Sequence, residues 1–367
     1  MARTAALSAA DVQRVNEVLL RYRDAIVEAL HTVLDRRDLA HAALMRYHFG
    51  FEDAAGQPIS SPGGKMLRPA LCLLCCEAVG GDLRQAMAAA AAIELIHNFT
   101  LIHDDIEDAS DTRHGRATLW RVAGVPQAIN AGDGMFVQAQ RTLLGMSDAG
   151  VPPDRVLLAS RILNDACAAL CEGQYADLAF ETRDRVTLAE YEAMIDGKTA
   201  SLLGASMAIG AIAGGADAAT VAAFGECGRM LGRAFQIQDD VLGIWGEEAI
   251  TGKPVADDIR SRKRSFPIAW AFEHLRGEAA STLARIYASD VVTESDIETV
   301  VSLLNEAEVR DVATAEAVRW ADAGVAALRP LRLEQERRRD IEVLAAFFVQ
   351  LIEVEGVGPK LGLNMLS

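Results

Sequence analysis

The chain predicts an all-α fold in a single domain, and three observations carry that prediction. Apolar residues recur with helical spacing from end to end. Only 10 of the 367 residues are proline and 51% are hydrophobic, with alanine and leucine abundant, a composition that favours long helices around a sizeable core. Runs of β-branched residues with a period of two, the mark of a strand, are missing. No repeat, low-complexity tract or linker of domain-separating length divides the sequence, so residues 1–367 read as one domain.

The elements follow in order. Residues 11–36 form an amphipathic helix with Val15, Val18, Tyr22, Ile26 and Leu30 on one side. The first 40 residues are expected to pack on the body of the domain or on a second subunit. Residues 49–64 are a loop rich in Gly, Pro and Ser. Helices are expected over 66–79 and 83–106, separated by Gly80-Gly81-Asp82. Residues 111–118 read as a polar loop, followed by helices over 126–147, 154–180, 188–213 and 217–244. Residues 246–263 form a charged loop marked by Gly and Pro, and four shorter helices fill 265–354.

Bulk properties exclude some functions. A net charge of −16 leaves no basic face for nucleic acid, yet metal ions and a few local cations can still make one site attractive to an anion. The N-terminal residues lack the apolar run of a signal peptide, and the apolar run at 86–93 is too short to span a membrane. A cytoplasmic protein without a membrane span is therefore expected. Cys72-x2-Cys75 and Cys167-x3-Cys171 lie in helical Leu/Ala-rich sequence, with no turn residues between them. They read as small core residues and not as zinc ligands.

Two acidic clusters about 130 residues apart carry the chemistry. The first is Asp104-Asp105-Ile106-Glu107-Asp108, after Leu-Ile-His; the second is Asp239-Asp240, after Phe235-Gln236-Ile237-Gln238. Both end long apolar stretches. Asp104 and Asp108 are four apart and share a helix face, with Asp105 beside them. Carboxylates this close repel one another unless cations intervene, and the C-terminal end of a helix disfavours them further. Mg²⁺ prefers oxygen ligands and is usually shared with substrate phosphates. An enzyme that handles a polyanionic substrate through Mg²⁺ follows from this. Cations surround the clusters in sequence. Lys65 and Arg68 lie at a helix start, a suitable place for an anion. Arg113 follows the first cluster, Gly197-Lys198-Thr199 interrupts a helix, and Lys253 and 260–264 follow the second cluster.

Five stretches occur here in the order typical of the trans-isoprenyl diphosphate synthases. They are Gly-Gly-Lys65-x-x-Arg68-Pro, Leu-Ile-His-Asp104-Asp105-x-x-Asp108, Gly197-Lys198-Thr199, Phe235-Gln236-x-x-Asp239-Asp240 and Gly252-Lys253-Pro-x-x-x-Asp258. The chain resembles that family over roughly residues 60–350. The resemblance implies a bundle of long helices around a deep central cavity, a homodimer, and head-to-tail joining of isopentenyl diphosphate to an allylic diphosphate. It implies three Mg²⁺ ions, held by Asp104, Asp108 and Asp239 with support from Asp105 and Asp240. Arg113, Lys198 and Lys263 would then grip the allylic diphosphate, and Thr199 and Gln236 would steady the allylic cation. Lys65, Arg68 and His97 would hold isopentenyl diphosphate, and Lys253 would contact substrate.

The chain also departs from the family pattern. His114 stands where many members carry a second arginine for isopentenyl diphosphate, and Met66 where arginine is frequent. Gly243 replaces a third aspartate of the second motif, as in similar bacterial geranylgeranyl diphosphate synthases. Phe99, five residues before Asp104, falls roughly 7–8 Å back along the helix axis. In the family a large residue there limits product length; ordinary core packing accounts for it equally well. With Thr100 beside it and no insertion in the motif, the resemblance is to short-chain enzymes making C20 or C15 products. A class I terpene cyclase on the same scaffold and a non-catalytic partner subunit are the competing readings. The intact Lys65, Arg68 and His97 speak against the first, and the complete first acidic motif against the second.

Overall fold

The protein is described by a computed structural model over residues 7–35, 39–59, 64, 66–247, 254–289 and 291–349. Lys65 and Lys253, two of the expected substrate-binding cations, lie outside the described residues.

Helix α1 (Ala9–Leu34) starts at a capping box, in which the Asp11 amide donates to Ser8 Oγ and the Ser8 amide to Asp11 Oδ2. Its apolar side packs on α3 (Leu67–Ala78), on α4 (Leu83–Glu107) and on the last described helix, α16 (Gln335–Val349). A buried ion cluster fastens this seam. Asp340 of α16 is fully buried and accepts from Arg14 Nε at 2.6 Å, Arg21 at 2.9 Å and Arg337 at 2.7 Å. An unpaired carboxylate would be costly here, so Arg14 and Arg21 tie α1 to the body of this chain.

The bundle centres on α9 (Ser201–Ala213), whose residues are all buried. It packs against α3, α4, α7 (Pro153–Glu181) and α10 (Ala218–Trp245). Helix α4 also packs on α6 (Val125–Leu144), and α10 on α15 (Val309–Ala327). Helix α4 is the one described helix long and apolar enough to cross a membrane, but 78% of its apolar window is buried inside the protein. It is a core helix.

The fold is all-α, as the periodicity implies, with four local corrections. Ala42–His48 (α2), Leu119–Ala123 (α5) and Asp257–Arg260 (α11) are short helices the sequence pattern did not give. The expected polar loop at 111–118 contains a two-stranded ribbon, Thr112–Arg113 (β1) against Arg116–Ala117 (β2). His114 (φ 51°) and Gly115 (φ 72°) both adopt the left-handed region that a two-residue hairpin turn demands. The expected helix 188–213 is α8 (Leu188–Ile195) and α9 joined by a π-helical turn, Asp196–Ala200. Among the described residues beyond 265 there are five helices in place of four: α12 (Phe266–His274), α13 (Gly277–Tyr287), α14 (Glu294–Glu306), α15 and α16. Helices α12 to α14 surround a smaller apolar cluster that includes Ile268, Ile286, Val300 and Leu304.

Candidate active site

The C-terminal end of α4 sorts its carboxylates by direction. Asp104 and Asp108 stay on one face. Asp105 turns away, is 1% exposed, and receives Arg113 Nε at 3.0 Å and Arg113 Nη2 at 2.9 Å. Burial pushes Asp104 up to about 7, with Asp108 and Glu107 adding to the shift and Lys198 opposing it. Desolvation raises Asp108 as well, opposed by Lys198 and aggravated by Asp177 and Glu107. The site thus concentrates carboxylates beyond what its own cations neutralise.

Lys198 sits on the π-helical turn. A Cβ on Gly173 of α7 would come within 2.2 Å of the Lys198 backbone nitrogen, so α7 and this turn touch only because residue 173 is glycine. The contact lays Lys198 Nζ against Asp177 Oδ2 at 2.5 Å. Burial opposes the charge on Lys198, but Asp177 and Asp104 outweigh it and raise its pKa. The next residue links the turn to the second cluster: Thr199 Oγ1 donates to Gln236 Oε1 at 2.7 Å. Gln236 Nε2 donates onward to Asp239 Oδ2 at 3.3 Å and Asp240 Oδ1 at 3.1 Å.

Asp239 and Asp240 differ. Asp240 is 1% exposed, and its Oδ2 accepts from the Tyr191 hydroxyl at 2.6 Å and the Phe266 amide at 2.8 Å. Lys263 Nζ stands 3.8 Å from its other oxygen. Asp258 holds Lys263 well above the usual lysine range, burial opposes this, and Asp240, Asp239 and Asp177 reinforce it. Because Lys263 acts on Asp108 as well as on Asp239 and Asp240, the two acidic clusters are near neighbours that share cations. Gly243 finds its reason here: a Cβ at that position would lie 2.5 Å from the Asp258 carboxylate.

Sequence reasoning missed Asp177, Gln174 and Tyr191. Gln174 Nε2 donates to Glu107 Oε2 at 2.8 Å. Gln174 and Asp177 are three apart on a helix that carries many other polar residues, so the pattern did not single them out. Tyr191 gave no signal either, since an aromatic on an amphipathic helix is ordinary.

A second polar region lies beside the first, on the side of Asp105 and Arg113. A cavity of about 140 Å³ is lined by Arg68, His97, Arg113, His114, Arg116 and His48, among others. Arg68 Nη1 and His97 Nε2 are 3.2 Å apart. Burial lowers Arg68 to about 10 against the pull of Glu94. Burial and then Arg68 and Arg113 hold His97 well below the usual histidine range. Arg113 lines this cavity and is not grouped with Lys198 and Lys263 as expected; Asp105 anchors it, and it reaches the acidic face only through a weak effect on Asp104. Met66 is buried at the start of α3 and brings no charge. Phe99 is 8% exposed and meets the Phe136 ring edge-on, with centroids 5.5 Å apart, while Thr100 Oγ1 is taken up by the His97 carbonyl at 2.7 Å.

Known proteins share this arrangement. The family model for polyprenyl synthetase matches residues 53–304. The chain is 36% identical over 341 residues to the (2E,6E)-farnesyl diphosphate synthase of Mycobacterium tuberculosis, covering 92% of this chain and 93% of that protein. It is 40% identical over 300 residues to the geranylgeranyl diphosphate synthase of the same organism, covering 82% and 84%. Its fold superimposes on the crystal structure of polyprenyl synthetase from Streptomyces coelicolor A3(2) with a TM-score of 0.84 at 36% identity, over 91% of this chain and 99% of that one. This all-α bundle, whose two acidic helix ends share Lys263 and which these enzymes match over most of its length, belongs to the polyprenyl synthetase family, and the protein is a prenyltransferase with prenyl diphosphate synthase activity.

Proposed function

We propose that the protein joins isopentenyl diphosphate head to tail to an allylic diphosphate and stops at geranylgeranyl diphosphate (C20), with farnesyl diphosphate (C15) the next shorter alternative. The observation that carries the two-substrate reading is a pair of neighbouring polar regions at the end of α4, with Arg113 and its anchor Asp105 between them. One has acids with Lys198 and Lys263; the other has Arg68, Arg113, His97 and His114. A cyclase on this scaffold ionises one diphosphate and has no use for the second region.

The donor set of the acidic opening fits Mg²⁺. Among the described residues no three His, Cys, Asp or Glu side chains converge closely enough to hold an ion unaided. That suits an ion which completes its shell with water and substrate phosphate. Asp104, Asp108 and Asp239 are the residues placed to hold it, and three ions are proposed. When bound, Mg²⁺ supplies Lewis-acid stabilisation of the leaving diphosphate. Asp105 and Asp240 serve as anchors for Arg113 and for the Tyr191–Lys263 network. Lys198 and Lys263 neutralise the charge that develops on the leaving group, and the Thr199–Gln236 pair presents dipoles toward the allylic carbons. Arg68 and His97, with Arg113 and His114, hold the diphosphate of isopentenyl diphosphate. The departing diphosphate accepts the final proton, so no side-chain base is needed.

Phe99, wedged against Phe136, is proposed as the floor that ends elongation. A homodimer is proposed as the working unit. The exposed apolar residues Val125, Ile129, Val137 and Leu144 on the outer side of α6 support it.

The test is incubation with Mg²⁺, isopentenyl diphosphate and, separately, dimethylallyl, geranyl, farnesyl and geranylgeranyl diphosphates, with analysis of diphosphates and extractable hydrocarbons. Consumption of isopentenyl diphosphate to a C20 diphosphate is expected. Untouched isopentenyl diphosphate with release of hydrocarbon from one allylic substrate would refute the reading.

A further inference from the structure

We propose that His48, at the end of α2 and outside every motif of the sequence, is a binding residue for the diphosphate of isopentenyl diphosphate. In this proposal His48, His97 and His114 together replace the fixed charge of an arginine at position 114. It rests on the reading of the second cavity as the isopentenyl diphosphate site.

The geometry comes first. His48 lines the same cavity as His97 and His114. It reaches there because α2 ends at His48 beside the hairpin, and Tyr47 pins that end by donating from its hydroxyl to the Ala117 carbonyl at 2.7 Å. His48 faces Arg113, His114, Arg116 and Asn98, and His97 faces Arg68, Arg113, His48 and His114. The three imidazoles therefore form one group.

The charge balance comes second. A diphosphate brings several negative charges, and two of the three arginines of this cavity are already engaged. Arg113 is paired with Asp105 at 2.9 Å. Arg116 donates to the Tyr47 and Glu52 carbonyls at 2.8 and 3.1 Å and lies over the Tyr47 ring. Arg68 shares the cavity with Glu94. In the free protein burial, then Arg113, His114 and Arg116, push His48 down to about 3, so it is neutral. An anion among the rings reverses that environment, because an opposite charge favours the protonated form and a protonated imidazole donates from both nitrogens. Substrate binding is then coupled to proton uptake, and affinity falls as pH rises.

The experiment uses the full chain, isopentenyl diphosphate alone without allylic primer, and titration calorimetry in two buffers of different protonation heat. The wild type is expected to take up protons on binding at pH 7.5. His48→Asn is expected to take up fewer, to bind about tenfold more weakly, and to raise KM for isopentenyl diphosphate with a much smaller effect on KM for the allylic substrate. His48→Lys should recover affinity while losing most of its pH dependence. Equal binding and equal proton uptake by His48→Asn, or a loss shared evenly by both substrates, overturns the proposal. Circular dichroism and the allylic KM identify a misfolded variant, in which case His48→Gln takes its place. A wild type that does not bind isopentenyl diphosphate at all refutes the proposed function instead.

Discussion

The Tyr191 hydroxyl donates to Asp240 Oδ2 at 2.6 Å, joining the helix that leads into Lys198 to the second acidic cluster. Asp240 passes the constraint on to Lys263 and the start of α12. Tyr191→Phe removes this donor and leaves the Phe266 amide alone on that oxygen. The expected outcome is a loss of about 1–2 kcal/mol in urea unfolding. A fall in kcat of about tenfold and a higher Mg²⁺ requirement should accompany it. A variant that loses stability but keeps both kinetic properties would show that the bond only supports the fold.

Asp340 gathers Arg14, Arg21 and Arg337 where no solvent reaches it. Asp340→Asn leaves three cations facing a neutral amide, and breaking a buried pair from one side costs about 3–5 kcal/mol. Denaturant unfolding should show that loss, with kcat of the folded fraction unchanged. Normal stability would mean that water enters the seam between α1 and α16.

The histidines of the second cavity make the free protein acid-sensitive. His48 is held at about 3, and His97 well below its usual value, by burial and neighbouring arginines, whereas both titrate near 6.5 when unfolded. Their folded pKa values are depressed. Their contribution is therefore full above about pH 6.5 and is lost as pH falls from there toward the folded values. Between pH 7 and pH 5 each should remove about 1–2 kcal/mol. Urea midpoints measured across that range should fall, and less steeply in His48→Asn. Parallel slopes for the two proteins would contradict the assignment.

Phe99 and Phe136 meet edge-on at 5.5 Å on adjacent helices. Phe99→Ala opens the space between α4 and α6 and should extend the main product by at least one isoprene unit, read by mass spectrometry of the diphosphates. The cavity it leaves should also cost about 3–5 kcal/mol of stability, as for other buried phenylalanines. Destabilisation with the same product length would make Phe99 a core residue only.

Much of this molecule was legible in one dimension. The helical period follows from local spacing, so the boundaries of α1, α3, α4, α7 and α10 emerged within a few residues. The acidic pairs stood out because carboxylates interrupt apolar helices, where burial is expensive. What the sequence pattern missed depends on partners distant in the chain. The helices of four to seven residues and the hairpin at 114–115 are too short for periodicity to register, and a left-handed histidine is visible only in its backbone.

The sequence by itself determined the fold class and the residue types of the site, which rest on local composition and spacing, and it pointed to the family through the resemblance of its five motifs. Only the tertiary structure decided which carboxylates are buried against a partner and which are left on the acidic face. Asp105 and Asp240 look identical to their neighbours in sequence, yet Arg113 claims one, and Tyr191 with the Phe266 amide claims the other. It also placed Asp258 in the space Gly243 leaves and His48 among the arginines. The physical reason is the same in each case. A buried charge takes its role from the group packed against it, and packing brings together residues that the chain order keeps apart.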